Sequence, residues 1–169
     1  MKLIKQLALG VAGLFLSVTP SLATVDPHTD DLLDLMNDNG VTVVVDNDEC
    51  DGRFQGAYQF SGMRRRMVIC TYGTVDANDF DTVRHETIHA IQHCVNTLRG
   101  NPLNTPVIED TDDLLAFARE HLTEQQLQWI VSNYPKEHWL VEIEAFAGAY
   151  AYTAYELMEM FETVCIAGA

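Results

Sequence analysis

The sequence predicts an α+β fold, in which a three-stranded sheet packs on a long central helix and is followed by a C-terminal helical part. Two observations predict this order. Residues 41–70 contain short runs of strand-forming residues bounded by turn signals. Residues 76–98 and most of the chain after residue 110 show apolar residues recurring at helical spacing. No repeat or linker divides the chain, so we expect one domain over residues 24–169.

The first 23 residues have the pattern of a secretory signal. A basic start with Lys2 and Lys5 precedes an apolar run over residues 7–18, and residues 21–23 supply small side chains where a signal peptidase cuts. The run is short for a membrane span. We therefore expect signal peptide 1–23 to be removed and the protein to be secreted or periplasmic. An uncleaved membrane anchor is the alternative.

The expected sheet follows a short helix. Apolar residues at helical spacing in 32–36 predict that helix, and Asn39-Gly40 ends it. The β-branched run Val41–Val45 predicts a buried strand. Residues 54–70 predict a hairpin whose turn is Ser61-Gly62.

The helices after the sheet are marked by capping signals. Thr111 begins one helix, and Thr123-x-x-Gln126 is a capping box that opens the next, which Pro135 ends. Residues 136–164 predict a single long last helix.

Four cysteines remain after the signal, and an even number in an exported chain predicts disulfides. The hairpin would bring the ends of its strands together, which favours Cys50–Cys70. Cys94–Cys165 follows only by elimination, and two buried free thiols are the alternative for that pair.

The formal net charge of −15 argues against nucleic acid and anionic membrane surfaces as partners, because both repel an acidic protein. Apart from the signal, no segment is long and apolar enough to cross a membrane.

The motif His85-Glu86-x-x-His89 carries the chemistry. Residues four apart lie one turn apart on the same side of a helix, so the two imidazoles can bind one metal ion. Glu86 then projects beside them and can act as a base without binding the metal. The alternative is a solvated helix face that is rich in histidine.

A catalytic zinc takes three protein ligands, so one more donor is needed. Val95 stands where a metzincin would have its third histidine, which excludes that pattern. Glu144 lies at the edge of the buried face of the last helix, among small residues, and we expect it to be the third ligand. Glu142 is expected to point toward solvent. His93 is expected to lie at the pocket rim or to form hydrogen bonds, and Glu142 and His93 are the alternative ligands.

The sequence resembles the gluzincin superfamily of zinc metallopeptidases, in particular its compact members. Those enzymes carry the His-Glu-x-x-His motif on one helix and a ligand glutamate on a later one, as in Glu144-Ala145-Phe146-Ala147 here. The resemblance implies a small zincin-like domain, with Zn2+ bound by His85, His89 and Glu144 and with Glu86 as general base.

The resemblance also implies a peptide or protein substrate bound along an edge strand, for which Met67–Cys70 is the candidate. Gly148 replaces the aspartate that orients a ligand histidine in thermolysin-like members, so the partner of the histidines is open. The oxyanion-stabilising residue is also open; the candidates are Tyr58, Tyr72, Tyr150, Tyr152, His121 and His138.

The leading functional hypothesis is a secreted zinc-dependent endopeptidase that uses a zinc-bound water activated by Glu86. The alternatives are a secreted binding or inhibitor protein in which the metal only stabilises the fold, and a zinc amidase acting on cell-wall peptides.

Overall fold

The computed structural model describes residues 26–52, 54–62, 64–72, 77–101 and 103–168. The predicted signal, residues 1–23, lies outside these ranges. The described chain is α+β, as predicted, with six α-helices and a three-stranded mixed sheet. In chain order the elements are α1 (Thr29–Asp38), β1 (Val41–Val45), β2 (Gly56–Ser61), β3 (Arg64–Ile69), α2 (Ala77–Leu98), α3 (Thr111–His121), α4 (Glu124–Asn133), a 3-10 turn (Lys136–His138), α5 (Trp139–Ala151), α6 (Ala154–Phe161) and a π-turn (Glu162–Ile166).

The strand order is β1-β3-β2, with β1 parallel and β2 antiparallel to β3. β3 is therefore central, and the expectation that Met67–Cys70 forms an edge strand is wrong. Met67, Val68 and Ile69 are all buried, which is typical of a strand covered on both faces. Within the described sheet, the edges are β1 and β2.

α2 is the central helix and is buried on two opposite sides. Its apolar side, which includes Val83 and Ile91, belongs to the main hydrophobic core with α1, the sheet and α6. Its histidine-bearing side is covered by α5. His85 and Glu86 on this part of the helix are both buried.

α5 lies between two hydrophobic cores. Ala145 belongs to the main core, whereas Ile143 and Ala147 belong to a second core formed with α3 and α4. α5 approaches α2 closely at Gly148, where a Cβ atom would lie 2.8 Å from Ile88 Cδ1. The small residues of this segment thus allow the two helices to meet, as predicted.

The single last helix that we expected is wrong, because the chain breaks between α5 and α6. Tyr152 and Thr153 adopt extended backbone angles. Thr153 then caps α6 in a reciprocal capping box with Glu156. The break is stabilised further by Asp26, whose Oδ2 accepts a hydrogen bond of 2.7 Å from Ala154 N.

Both predicted disulfides are present, Cys50–Cys70 and Cys94–Cys165. Cys94 lies on the side of α2 that faces away from the histidines. That side packs against α6 and the C-terminal π-turn, which carries Cys165, so the two cysteines meet. Two disulfides are typical of proteins that reside outside the reducing cytosol. None of the helices among the described residues has the length and hydropathy to cross a membrane.

Candidate metal centre

Three buried side chains from α2 and α5 converge on one point. His85 Nε2 and His89 Nε2 lie 3.0 Å apart, and Glu142 Oε2 lies 3.3 Å from the first and 3.5 Å from the second. A tetrahedral zinc ion with bonds of about 2.0–2.1 Å would separate its ligand atoms by about 3.3 Å. The three residues are therefore placed to hold a metal ion.

Glu144, which we expected to complete this group, does not point at the histidines. Its carboxylate accepts hydrogen bonds of 2.8 Å from Gln92 Nε2, from Val107 N and from Ile108 N. Those bonds occupy both oxygens. Glu144 is thus not the acid that joins the two histidines; Glu142 takes that place, and it is buried, whereas we expected it to point toward solvent.

The error has a structural cause. A helix with one apolar stripe would turn Glu142 to solvent, but α5 is covered on both sides and every residue from Val141 to Ala145 is buried. Hydrophobicity along α5 therefore does not say which glutamate faces α2. The packing of α3 and α4 against α5 decides it.

Gln92 provides the partner of His89 that sequence reasoning did not identify. Its Nε2 donates to Glu144 and to Val141 O, so its Oε1 must be the atom that meets His89 Nδ1, at 2.7 Å. Nδ1 therefore carries a proton, and once Nε2 gives up its own proton, as metal binding requires, its lone pair faces the metal group. This chain of contacts fixes the tautomer that a metal ligand requires.

Two buried polar atoms at the centre have no hydrogen-bond partner among the described residues: His85 Nδ1 and Glu142 Oε2. An unsatisfied buried carboxylate oxygen is costly, so it is rarely left without a cation or a donor. Glu142 Oε2 points toward both imidazoles, where a bound cation would satisfy it.

The charges at the centre stabilise one another. Burial acts to raise the pKa of Glu142, yet the nearby imidazoles of His85 and His89 lower it to about 2. Burial acts to lower the pKa of His89, but contact with Glu142 and the charges of Glu86 and Glu142 raise it to about 9. Without metal, the group is thus held by a charged His89–Glu142 pair at neutral pH.

The centre opens into a cleft that His85 and Glu86 both line. Glu86 is 5% exposed. The N-terminal end of β2 forms the facing wall, and Gly56 is required there because a Cβ atom would lie 2.4 Å from Thr82 Cγ2 and 3.0 Å from Glu86 Oε1. Gly56 thereby lets the edge strand approach the motif helix.

Aromatic rings form the wall of the cleft beside His85. The Phe146 ring lies 4.3 Å from the His85 ring, centre to centre, and meets Trp129 and Tyr134 edge-on at 5.8 Å and 6.1 Å. Tyr134 was not among the residues proposed for the oxyanion. The pKa of its hydroxyl is raised by burial and by the Glu142 and Glu86 carboxylates, so it remains a protonated donor.

The residues that the sequence offered for the oxyanion-stabilising role lie in different parts of the structure. Tyr150 lines the cleft, but Tyr72 donates a hydrogen bond to Phe54 O, and Tyr58 is bonded to His93 Nδ1 at 2.9 Å. His93 also stacks on a ring of β2, and it is thus a hydrogen-bonding residue, as predicted. The position of Tyr134 in the cleft depends on the packing of α4 against α5, which no local sequence pattern indicates.

No protein-family model, curated protein or solved structure matches this chain. The relationship to the gluzincins therefore stays a prediction. Geometry supports the coarser conclusion that His85, His89 and Glu142 form a buried group able to hold a metal ion.

Proposed function

We propose that the protein is a zinc-dependent peptidase in which His85, His89 and Glu142 bind the metal and Glu86 is the general base. The observation that carries this proposal is the convergence of three ligand atoms within 3.5 Å of one another beside a glutamate that lines the same cleft. A purely structural metal site has no use for that glutamate or for an open cleft.

The donor set favours zinc. Two imidazole nitrogens and one carboxylate oxygen are ligands that zinc prefers, whereas calcium and magnesium select sites built from oxygen alone. In the described part of the chain, it is the one group of three histidine, cysteine or acidic side chains placed closely enough to hold a metal ion. With three protein ligands, a bound zinc ion would keep one position for a reactant, as catalysis requires.

When bound, zinc supplies Lewis acidity to the scissile carbonyl and makes a water molecule acidic near neutral pH. Glu86 would take the proton from the attacking water and return it to the leaving amine. The protonated Tyr134 hydroxyl donates a hydrogen bond to the oxygen on which negative charge develops. Gln92 holds His89 in the tautomer that leaves Nε2 unprotonated.

An extended peptide would lie along β2. Among the described strands, this strand pairs with β3 alone, and its N-terminal residue Gly56 lines the cleft next to Glu86. Backbone groups on an edge strand can pair with an extended chain, which would place one peptide bond over the metal group. Two disulfides support a location outside the cytosol.

The test compares wild-type protein, Glu86→Gln and the exposed control Glu120→Gln, each with measured zinc content, on unfolded casein. We expect Glu86→Gln to keep its zinc and to lose activity by about 10²-fold or more, because the general base is gone. Glu120→Gln should equal wild type. A protein that holds one zinc but cleaves nothing, with Glu86→Gln unchanged in every property, would exclude the peptidase function.

A further inference from the structure

The cleft beside the metal group has a composition suited to a positive charge. Among the residues that the structure describes, its lining includes four aromatic side chains and two carboxylates, and no lysine or arginine. Trp129 and Tyr150 are 52% and 49% exposed at its mouth. Large aromatic side chains held in water at the edge of a cleft are available to a ligand.

The carboxylates are Asp81 and Glu86, one turn and a half apart on α2. Asp81 is paired with Arg84, which also contacts Asp26 and donates to Ala149 O at 2.8 Å. Arg84 thus has two acidic partners and adds no excess positive charge. The cleft therefore keeps a net negative character on this wall, within a chain of net charge −15.

Aromatic faces and carboxylates together attract cations more than neutral groups. An ammonium or guanidinium group within about 6 Å of an indole or phenol face is attracted by the ring quadrupole, and partial desolvation strengthens this attraction. A neutral apolar side chain would gain from the rings alone. Acidic side chains would be repelled.

On this basis, and resting on the proposed peptidase function, we propose that the aromatic and acidic cleft formed by Trp129, Tyr150, Phe146 and Asp81 is a subsite that selects a lysine or arginine side chain of a peptide substrate. Phe146 forms the inner end, because its ring packs against His85. Trp129 and Tyr150 form the outer walls, and Asp81 supplies the charge. The selected residue would thus lie next to the bond that is cleaved.

The test measures binding separately from cleavage. Zinc-loaded Glu86→Gln is titrated with sets of blocked pentapeptides. Each set varies one position of the peptide, which carries lysine, norleucine or glutamate, and the sets together cover every position. Norleucine matches the aliphatic stem of lysine without its charge. At one position we expect lysine to bind about tenfold more tightly than norleucine, a factor typical of one cation–π contact. The difference should shrink as salt is added.

Variants of that protein test the assigned residues. Trp129→Leu and Asp81→Asn should each reduce the lysine preference at that position several-fold. Asp38→Asn, an exposed residue outside the cleft that removes the same charge, should leave it unchanged. Equal weakening by all three would show a general field effect and overturn the subsite.

Each outcome separates the two proposals. Norleucine binding as tightly as lysine at every position, or no peptide binding at all, overturns the subsite whether or not wild type is a peptidase. Lysine selectivity in Glu86→Gln with no cleavage by wild type supports the subsite and excludes the proposed catalysis.

Discussion

Glu142 and Glu144 lie two residues apart on one buried helix, yet their carboxylates have different partners. Glu142 Oε2 lies 3.3 Å from His85 Nε2, whereas Glu144 accepts hydrogen bonds from Gln92 and from two backbone N–H groups of the loop before α3. One carboxylate is thus placed to bind the metal, and the other holds the residue that orients a ligand.

This difference predicts unequal effects of matched substitutions. Glu142→Gln removes a ligand charge, so we expect it to abolish stoichiometric zinc binding. Glu144→Gln leaves all three ligands, so we expect it to weaken zinc binding by only about 10- to 100-fold, the usual effect of disturbing a partner of a ligand. Competition with a chelator measures both affinities. If Glu142→Gln bound zinc as tightly as wild type, the third ligand would have to be another residue.

The effects of substitutions at Gln92 and Glu144 on zinc binding should depend on each other. Gln92→Glu places two carboxylates against each other, and we expect weaker zinc binding and lower stability. Adding Glu144→Gln relieves that repulsion, so the double variant should bind zinc more tightly than Gln92→Glu alone. The same chelator competition provides the measurement. Additive losses in the double variant would mean that the contact does not position His89.

Removal of zinc should leave a protein whose stability falls with rising pH. The pKa of His89 is raised to about 9 in the folded protein, against about 6.5 when unfolded, so between these values the folded state binds the extra proton. The stabilisation is complete below pH 6.5 and is lost as pH rises through 9, by at most about 3 kcal/mol. Denaturant unfolding in chelator across this range measures it.

Glu142→Gln provides the control for that experiment, because it removes the larger of the two carboxylate influences that raise the pKa of His89 and leaves only that of Glu86. Its metal-free stability should fall clearly less than that of wild type between pH 6.5 and 9. With zinc bound to wild type, the fall should disappear, because a metal ligand carries no proton at Nε2. If the stability of Glu142→Gln fell by the same amount, the pH dependence would not come from the interaction of His89 with Glu142.

Tyr134→Phe tests the oxyanion donor. The hydroxyl lies in the cleft with His85 and Glu86, and its loss should lower kcat by about 10²-fold with little change in KM, because the contact forms only in the transition state. Tyr150→Phe, at the exposed mouth of the same cleft, should retain most of the activity. Steady-state kinetics on one peptide decide between them, and a reversed order would assign the role to Tyr150.

Gly56→Ala tests the approach of β2 to the motif helix. The added methyl group would overlap Thr82 and press on Glu86, so we expect a loss of stability of about 1–3 kcal/mol and lower activity. Ser61→Ala, an exposed change at the other end of the same strand, should be neutral. Thermal unfolding and zinc content are measured for both variants. A fully stable and active Gly56→Ala would show that the strand can move away.

The sequence by itself determined the features that depend on local spacing. His85 and His89 share one side of α2 because helical periodicity places residues four apart together. The capping box at Thr123 and the disulfide across the hairpin follow from residues that are near one another in the chain. These interactions need no knowledge of what covers each element, and all of them are confirmed.

Only the tertiary structure decided which glutamate joins the histidines, which strand is central and where the last helix breaks. Glu142 faces α2 because α3 and α4 bury the other side of α5, a fact that no pattern within α5 contains. β3 is central because β1 pairs with the edge of β3 that is opposite to β2. Tyr134 enters the cleft because α4 packs on α5. Contacts between distant segments depend on packing across the whole domain, whereas the sequence encodes only local periodicity directly.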